Sequence, residues 1–395
     1  MALLFLKLGA ISFGGPAAHI ALMEYEVVRK RQWLTRQQYL DMLGLTNLIP
    51  GPNSTEMAIS VGFVRAGWAG LAVAGASFIV PAALLTAAVA WAYVRFGAMP
   101  LTASLLTGVK PAVVAVIAIA VRRLGKVSIR NAWLAVLGAV ALAAFLGQVS
   151  PLLILASGGL IGILVHGMDR LKKDRLKKSS RADAAKLSAG LIGVKHWFLP
   201  SVLFSGFFGV LSGSLAPQTK RVPLARLWWF FLKVGAILYG GGYVLLAFVE
   251  QGLVRDHHWL TQRQVLDAIA IGQFTPGPVL STATFIGYLL GGAWGAAIAT
   301  IGIFLPSFLY VAVLGPILPK VRRSAWMAVF LDSVNVCAVA LMAGVTIKLA
   351  SGALHGWPMW FIAVTALAVL WKWKINPAWV VLGGGLGGLL VAAFR

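Results

Sequence analysis

The sequence predicts an all-α, multi-pass membrane protein of about ten transmembrane helices, arranged as two inverted five-helix repeats that each carry a Pro-Gly-Pro re-entrant hairpin. Three observations predict this fold. First, 59% of the 395 residues are hydrophobic and only 11% are charged, whereas soluble domains carry about 25% charged residues. Second, long apolar segments recur along the whole chain. Third, the second half of the chain repeats the first.

The composition also excludes several classes of protein. The net charge is +23, and in a membrane protein Lys and Arg collect in cytoplasmic loops, so we expect no nucleic-acid partner. A single cysteine, Cys337, excludes an internal disulfide and a cysteine-rich metal site. The chain has neither a phosphate-binding GxxxxGK[ST] motif nor a nucleophile–base arrangement. We therefore expect no cofactor, no ATP-driven pump and no enzyme.

The internal repeat is the firmest feature of the sequence. Residues 5–52 align without a gap to residues 231–278 and share 21 of 48 positions. The chain therefore divides into a first transport repeat at 1–166, a basic linker at 167–226 and a second transport repeat at 227–395. The first apolar segment is structural rather than a signal peptide, because its copy lies inside the chain. The copy carries more residues ahead of the shared motif, so we expect the start of the chain to be shortened.

Each repeat contains five apolar segments, several of them shorter than the usual ~20 residues. They lie near 2–22, 68–94, 101–121, 131–148 and 150–166, and near 227–249, 292–318, 326–348, 357–371 and 377–394.

A different element lies between the first and second segments of each repeat. It opens with Trp-Leu-Thr-x-x-Gln, at 33–38 and 259–264, where Thr and Gln fit a capping box that starts a helix. The helix runs to Pro-Gly-Pro, at 50–52 or 276–278, and a second short apolar helix follows. Both helices are too short to span the membrane comfortably, so we predict a re-entrant hairpin. Two tilted short spans are the alternative, and they would leave the number of membrane crossings per repeat odd.

The distribution of basic residues gives the sidedness. If the basic loop around 29–31 is cytoplasmic, 26 Lys and Arg fall inside and five outside. Five crossings per repeat then make the repeats inverted and the linker cytoplasmic. Residues 197–216 are apolar enough to cross as well, which would make the repeats parallel; flanking positive charges favour a surface position. Inverted repeats with broken helices are typical of secondary transporters, with a structural or receptor bundle as the alternative.

Backbone breaks indicate where a substrate would bind. Gly-Gly-Pro at 14–16 and Gly-Gly-Gly at 240–242 interrupt the first segment of each repeat, and Pro-Gly-Pro restarts a helix in both. Helix N-termini favour anions, and hydroxyl and amide side chains follow the Pro-Gly-Pro motifs. The alternative is that these breaks only permit kinks and close packing. The predicted site residues are Lys7, Gly14, Gly15, Pro16, Pro50, Gly51, Pro52, Asn53, Ser54, Lys233, Gly240, Gly241, Gly242, Pro276, Gly277, Pro278, Ser281 and Thr282.

Charged residues inside the predicted spans add to this hypothesis. Lys7 and Lys233 occupy equivalent positions and suit an anion path, although snorkelling to an interface is nearly as good an interpretation. Glu56 lies one turn after Pro-Gly-Pro; carrying a coupled proton, pairing with Lys7 and neutralising Arg65 are all open roles. Lys110 stands alone.

Two pairs of acidic residues recur at equivalent positions of the repeats. They are Glu24 with Glu250 and Asp41 with Asp267. We expect these carboxylates to pair with Arg29 and Arg255 at helix ends. They are therefore not assigned to the binding site.

These elements together resemble the chromate transporter family. The resemblance rests on Phe-Gly-Gly-Pro at 13–16, on the Pro-Gly-Pro hairpins and on residues 275–308, and it covers nearly the whole chain in the two-domain, long-chain form. It implies export of chromate across the bacterial plasma membrane, which confers chromate resistance, with sulfate as a structural analogue. The acid at Glu56 and the long basic linker depart from the family pattern.

The sequence leaves two rival functions open. One is an importer of sulfate or another anion with the same architecture. The other is a membrane-embedded enzyme that uses Glu56 as its acid or base. The partners expected for the transporter are the oxyanion and the lipid bilayer, and a homodimer stays open.

Overall fold

The structure, a computed structural model, describes residues 1–12, 16–46, 49–96, 100–165, 222–239, 244–314, 325–373 and 375–393. In these ranges the chain forms helices and no strand. The glycine breaks at 13–15 and 240–243 and the linker with its apolar stretch at 197–216 lie outside the described residues.

The helices follow the same order in both repeats. The first repeat contains α1 (Ala2–Ile11), α2 (Pro16–Glu24), α3 (Arg36–Thr46), α4 (Asn53–Phe96), α5 (Pro100–Ser128), α6 (Ala132–Leu146) and α7 (Pro151–Val165). The second contains α8 (Leu224–Ile237), α9 (Leu245–Val249), α10 (Gln262–Phe274), α11 (Thr282–Leu314), α12 (Ala325–Ala353), α13 (Trp357–Lys372) and α14 (Pro377–Ala393). π-Helical turns, Tyr25–Lys30 and Glu250–Asp256, extend α2 and α9, and a 3₁₀ turn, Val279–Ser281, precedes α11.

Four of these helices are long and apolar enough to cross a membrane. They cover Asn53–Phe96, Ser104–Ser128, Val279–Val313 and Trp326–Ala353, and five shorter apolar helices accompany them. The chain is therefore an all-α protein of the multi-pass membrane class.

The helices α4 and α11 are each two helices joined by a sharp turn. Gly67 and Gly292 adopt φ of 58° and 62°, a left-handed conformation that favours glycine. After the turn the chain reverses, since Gly62 packs against the backbone of Gly70 and the hydroxyls of Thr284 and Thr300 lie 2.7 Å apart. Each helix thus has a short arm (53–65 and 282–290) and a long arm (68–96 and 293–314).

The first segment of each repeat also turns back on itself, which the sequence did not predict. Residues 2–22 were expected to form one interrupted span. Instead, Lys7 Nζ on α1 lies 3.3 Å from Glu26 just after α2, and Leu8 and Met23 share one buried cluster. The helices α1 and α2 therefore lie side by side instead of forming one continuous span. In the second repeat Gly252 packs on Phe230 of α8 in the same manner, so residues 227–249 differ from the expectation in the same way.

The Pro-Gly-Pro element forms a hairpin as well. Thr35 and Gln38, like Thr261 and Gln264, make the reciprocal hydrogen bonds of a capping box. The Arg65 guanidinium, at the end of the short arm of α4, lies 5.6 Å from the ring of Trp33. The start and the end of the element are therefore at one level, and the Pro-Gly-Pro turn is at the other end.

The two long arms pack against each other, and they run antiparallel. Leu71 belongs to one cluster with Val311, and Gly75 packs against Phe308, so residue numbers rise along one arm as they fall along the other. The first helix of each repeat packs on the long helix of the same repeat: α1 packs on α4, and α8 packs on α11. This arrangement places the Pro-Gly-Pro turns near the middle of the long arms.

Candidate functional site

The two Pro-Gly-Pro turns make reciprocal hydrogen bonds with the opposite repeat. The Gly51 N–H donates to the Leu238 carbonyl at 2.7 Å, and the Gly277 N–H donates to the Ser12 carbonyl at 2.9 Å. Ser12 and Leu238 are the C-caps of α1 and α8. Each turn therefore closes on the end of the other repeat's first helix, and helix ends from both halves converge.

Both turns are buried and need their central glycine. Gly51 and Gly277 have φ of 141° and 88°, a region that L side chains rarely adopt. A Cβ at Gly277 would collide with Ala82 in the long arm of α4, and one at Gly51 would collide with Glu56 and with Ser307 in the long arm of α11. The predicted prolines Pro50, Pro52, Pro276 and Pro278 are buried around these glycines.

A group of buried polar atoms without a hydrogen-bond partner surrounds the turns. A buried donor or acceptor that stays unpaired costs about 1–3 kcal/mol, so a cluster of them indicates a place for a polar ligand. Six of the twelve such atoms in the described residues lie here: Ser12 Oγ, Thr55 Oγ1, both carboxyl oxygens of Glu56, Ser281 Oγ and Ser307 Oγ; the others belong to Thr86, Glu250, Gln251, Arg255, Asp267 and Lys348.

Glu56 is fully buried at the start of α4. Its carboxyl lies beside Ser307 over Gly51, without a well-formed hydrogen bond, and Tyr239 and Tyr310 are within electrostatic reach. Of the three roles left open for Glu56, the structure contradicts pairing with Lys7 and neutralising Arg65. Lys7 binds Glu26, and Arg65 stacks on an indole ring. No Lys or Arg in the described ranges forms an ion pair with Glu56.

His19 belongs to the site, although nothing in its sequence context distinguishes it from the other five histidines. Its Nε2 lies 3.0 Å from the Ser12 carbonyl and its Nδ1 lies 3.3 Å from Ser54 Oγ. Because a carbonyl only accepts, Nε2 carries the proton, and in the neutral ring Nδ1 accepts from the Ser54 hydroxyl. The same Ser12 carbonyl also accepts from Gly277, so His19 joins α2, α4 and the second turn.

The two turns differ in chemistry. The positions equivalent to His19, Ser54, Glu56 and Ser307 in the other repeat are Leu245, Leu280, Thr282 and Ala82. The first turn therefore holds a carboxyl and an imidazole. The second turn offers only hydroxyls, of which Thr282 Oγ donates to the Val279 carbonyl at 2.8 Å and Ser281 Oγ is unpaired.

The structure places the predicted lysines away from the turns. Lys7 has a half-exposed side chain in contact with Glu26, and Lys233 is exposed on α8. Burial alone would raise the pKa of Glu26, but hydrogen bonds from Arg31 and Lys7 and the charge of Lys30 hold it below its ordinary value. Of the other predicted residues, Asn53 begins α4 and Pro16 begins α2, whereas Gly14, Gly15, Gly240, Gly241 and Gly242 lie outside the described residues.

The expected helix-end ion pairs are confirmed for one of the four acids. Arg255 Nε lies 2.8 Å from Glu250 Oε1. Glu24 instead contacts Arg36 at 3.8 Å. Asp267, expected near Arg255, pairs with Lys110 at 3.0 Å; this partner is distant in sequence, and only the tertiary structure brings the two together.

The chain is similar to known proteins over nearly its whole length. The profile of the Chromate transporter family matches residues 1–163 and 225–389. The chain is 31% identical over 390 residues to the chromate transport protein of Cupriavidus metallidurans, covering 98% of this chain and 91% of that one. It is 32% identical over 379 residues to a probable chromate transport protein of Synechococcus elongatus, with 93% and 88% covered. An uncharacterized transporter of Methanocaldococcus jannaschii is 29% identical over 389 residues, with 98% and 92% covered. No solved structure matches the chain.

Proposed function

Because the chain belongs to the chromate transporter family, we propose that it is a secondary transporter that exports chromate across the bacterial plasma membrane and so confers chromate resistance. Relatives that carry the name of chromate transport protein align over nearly its whole length. The observation that supports the proposal best is the pair of reciprocal Pro-Gly-Pro contacts, which join the two halves at one buried polar centre.

The proposed transport mechanism needs the two repeats to be inverted in the membrane. The antiparallel packing of the two long arms supports this arrangement. So does Tyr93, near the end of the long arm of α4, because its hydroxyl donates to Asp267 near the start of α10. The start of α10, at the end of its hairpin opposite the Pro-Gly-Pro turn, is therefore level with the C-terminal end of α4. Because the first segment of each repeat turns back and no longer counts as a crossing, inverted repeats place the end of α7 and the start of α8 on opposite faces, not both on the cytoplasmic face as expected from five crossings.

The proposed oxyanion site lies where the turns meet. Free N–H groups at the first turn of a helix and the positive end of its dipole attract anions, and the unpaired hydroxyls of Ser12, Ser281 and Ser307 supply donors. A tetrahedral dianion, chromate or its analogue sulfate, fits such a set of donors. We assign Lys7 and Lys233, which are exposed, to attracting the anion at the mouth of each repeat.

The direction of transport follows from charge. Moving two negative charges outward across an inside-negative membrane releases about 4.6 kcal/mol per 100 mV. This free energy corresponds to a ratio of outside to inside chromate concentration of roughly a thousandfold or more, since each 1.4 kcal/mol changes an equilibrium ratio tenfold. Export therefore runs on the membrane potential alone, whereas import of the same ion needs cations that are co-transported.

A proton on Glu56 would add a pH dependence to this export. A buried carboxylate without a cation is expensive, and next to a bound dianion it would also repel the substrate. We propose that Glu56 is protonated when the oxyanion binds. Its exchange of this proton with the cytoplasm or the periplasm would then couple transport to pH.

The experiment uses inside-out vesicles that contain the protein, an imposed potential, labelled chromate and an excess of unlabelled sulfate. The proposal predicts uptake that follows the potential and falls when sulfate is added. Uptake only in right-side-out vesicles with a cation gradient would favour an importer. A chemical activity in detergent without any gradient would favour the enzyme that uses Glu56. No uptake into vesicles with folded protein would refute the proposal for chromate.

A further inference from the structure

A buried ion pair joins the two repeats away from the Pro-Gly-Pro turns. Lys110 Nζ on α5 lies 3.0 Å from Asp267 Oδ1 on α10, and the Tyr93 hydroxyl on α4 donates to Asp267 Oδ2 at 2.8 Å. The side chains of Lys110 and Asp267 are only 11% and 1% exposed. Two members of this cluster, which we call the inter-repeat triad, come from the first repeat and one comes from the second.

The fold itself does not require this pair. The position equivalent to Lys110 in the second repeat holds Asn335, and the position equivalent to Asp267 in the first holds Asp41. Asp41 accepts a hydrogen bond from Gln37 within its own helix at 3.2 Å. A buried ion pair is often no more stable than apolar residues of the same size, and a charge at membrane depth is a functional hypothesis by default. A pair that one repeat has and the other lacks therefore points to function.

The triad lies between the central site and the end of the long arm of α4. Asp267 precedes Thr275, at the second turn, by eight residues, which is about 12 Å along a helix. Tyr93 follows Ala82, which packs on the same turn, by eleven residues, or about 16 Å. An anion that leaves the turns toward this face passes the level of the triad.

The packing beside the triad leaves room for α10 to move. A cavity of about 600 Å³ opens next to it, lined by Tyr93, Val109, Ala270 and Ile271 among others. Tyr93 is itself a member of the triad, Val109 directly precedes Lys110, and Ala270 lies within one turn of Asp267. The wall of this cavity is apolar, and the charges beside it are Lys110, Asp267 and Arg263, which lies one turn before Asp267 on α10 and acts electrostatically on Tyr93.

We propose that Lys110 is a second anion-binding residue of the transport path, held by Asp267 in this conformation and released to the oxyanion when α10 moves away from α5. This inference rests on the proposed function. The Lys110 ammonium has three N–H donors. On release it exchanges one anionic partner, the Asp267 carboxylate, for another, the oxyanion. Without an anion, separation of the pair would leave two buried charges unpaired, so the empty path stays closed.

The test compares a neutral double variant with a matched control. In Lys110→Met with Asp267→Asn, both charges of the buried pair are removed together, so neither is left unpaired. The control is Arg130→Met with Asp332→Asn, which removes an exposed ion pair of 3.3 Å that also joins the repeats. Initial rates of chromate uptake are measured in inside-out vesicles over a range of concentrations and divided by the amount of folded protein.

The proposal predicts at least a tenfold lower kcat/KM for the buried double variant and wild-type kinetics for the control. Asp267→Asn alone frees Lys110 from its competitor and is expected to lower KM several-fold, which loss of a structural contact would not do. Wild-type kinetics in the buried double variant, or an unchanged KM in Asp267→Asn, would overturn the role of Lys110. If the double variant does not fold, the KM of Asp267→Asn decides the question. Absence of uptake by the wild type and the control would refute the proposed function and this role with it.

Discussion

Glu56 is the residue at which the two repeats differ most in chemistry. Its equivalent is Thr282, and its carboxyl is fully buried without an ion-pair partner in the described part of the chain. A neutral carboxyl donates one hydrogen bond, as a hydroxyl does. The two turns therefore present similar donors to an oxyanion only while Glu56 holds its proton.

This difference predicts the behaviour of Glu56→Gln. The amide is neutral at every pH, so we expect uptake near that of the wild type at low pH but no decline as the pH rises, whereas wild-type uptake should fall. Potential-driven uptake is measured between pH 6 and 9, with Glu24→Gln at the end of α2 as the control. A wild-type pH profile in Glu56→Gln would contradict the proton-carrying role.

His19 illustrates what the sequence cannot reveal about a single residue. It stands among six scattered histidines, and its role depends on Ser12 and Ser54 being brought to both ring nitrogens. Glycine and proline positions, by contrast, are readable because the backbone constrains them directly. The sequence therefore predicted the Pro-Gly-Pro turns and missed His19, Ser12 and Ser307.

Replacing His19 by Leu, the residue of the second repeat, should destabilise the protein. Ser54 loses its partner while the Ser12 carbonyl keeps only the Gly277 N–H, and an unpaired buried group costs about 1–3 kcal/mol. We expect a lower midpoint of thermal unfolding in detergent, with His355→Leu, which alters an exposed histidine, as the control. Equal midpoints for His19→Leu and wild type would contradict the hydrogen-bond network.

At the scale of elements, helix starts and breaks were predicted and chain reversals were not. The capping boxes at Thr35 and Thr261 follow from local sequence, and both form. The reversal between α1 and α2 was missed because two apolar helices separated by glycines have the same sequence pattern whether the chain continues in one direction or turns back. Only contacts between distant residues, such as Lys7 with Glu26, distinguish the two.

The turn between the arms of α4 gives a prediction at this scale. A Cβ at Gly67 meets no atom, but its φ of 58° is left-handed. We therefore expect Gly67→Ala to destabilise the protein by about 1 kcal/mol through backbone conformation alone. Gly383→Ala, equally free of contacts but inside a helix, should be neutral or stabilising. Thermal unfolding of both variants checks this, and equal effects would contradict the left-handed turn.

At the scale of the whole molecule, the duplication carried most of the fold prediction. The constant offset between repeats predicts that contacts come in equivalent pairs, and the hydrogen bonds of Gly51 and Gly277 are such a pair. Contacts that only one repeat makes are invisible to this reasoning. Lys110 with Asp267 is the clearest case, because its counterpart positions hold Asn335 and Asp41.

The proposed inverted arrangement predicts that the end of α7 and the start of α8 are accessible from opposite faces of the membrane. Single cysteines replace the exposed Leu164 and Leu224 in a background in which the buried Cys337 is changed to Ala. A membrane-impermeant maleimide should label one of them in right-side-out vesicles and the other in inside-out vesicles. Labelling of both from the same face would contradict the inverted repeats.

The central claim is that two halves build one oxyanion site between their Pro-Gly-Pro turns. The most direct measurement is equilibrium binding of labelled sulfate to the purified wild-type protein, at a sulfate concentration that saturates the high-affinity phase. The account predicts one bound sulfate per chain, because both turns face the same centre. Two independent sites per chain, or no saturable binding to folded protein, would contradict it.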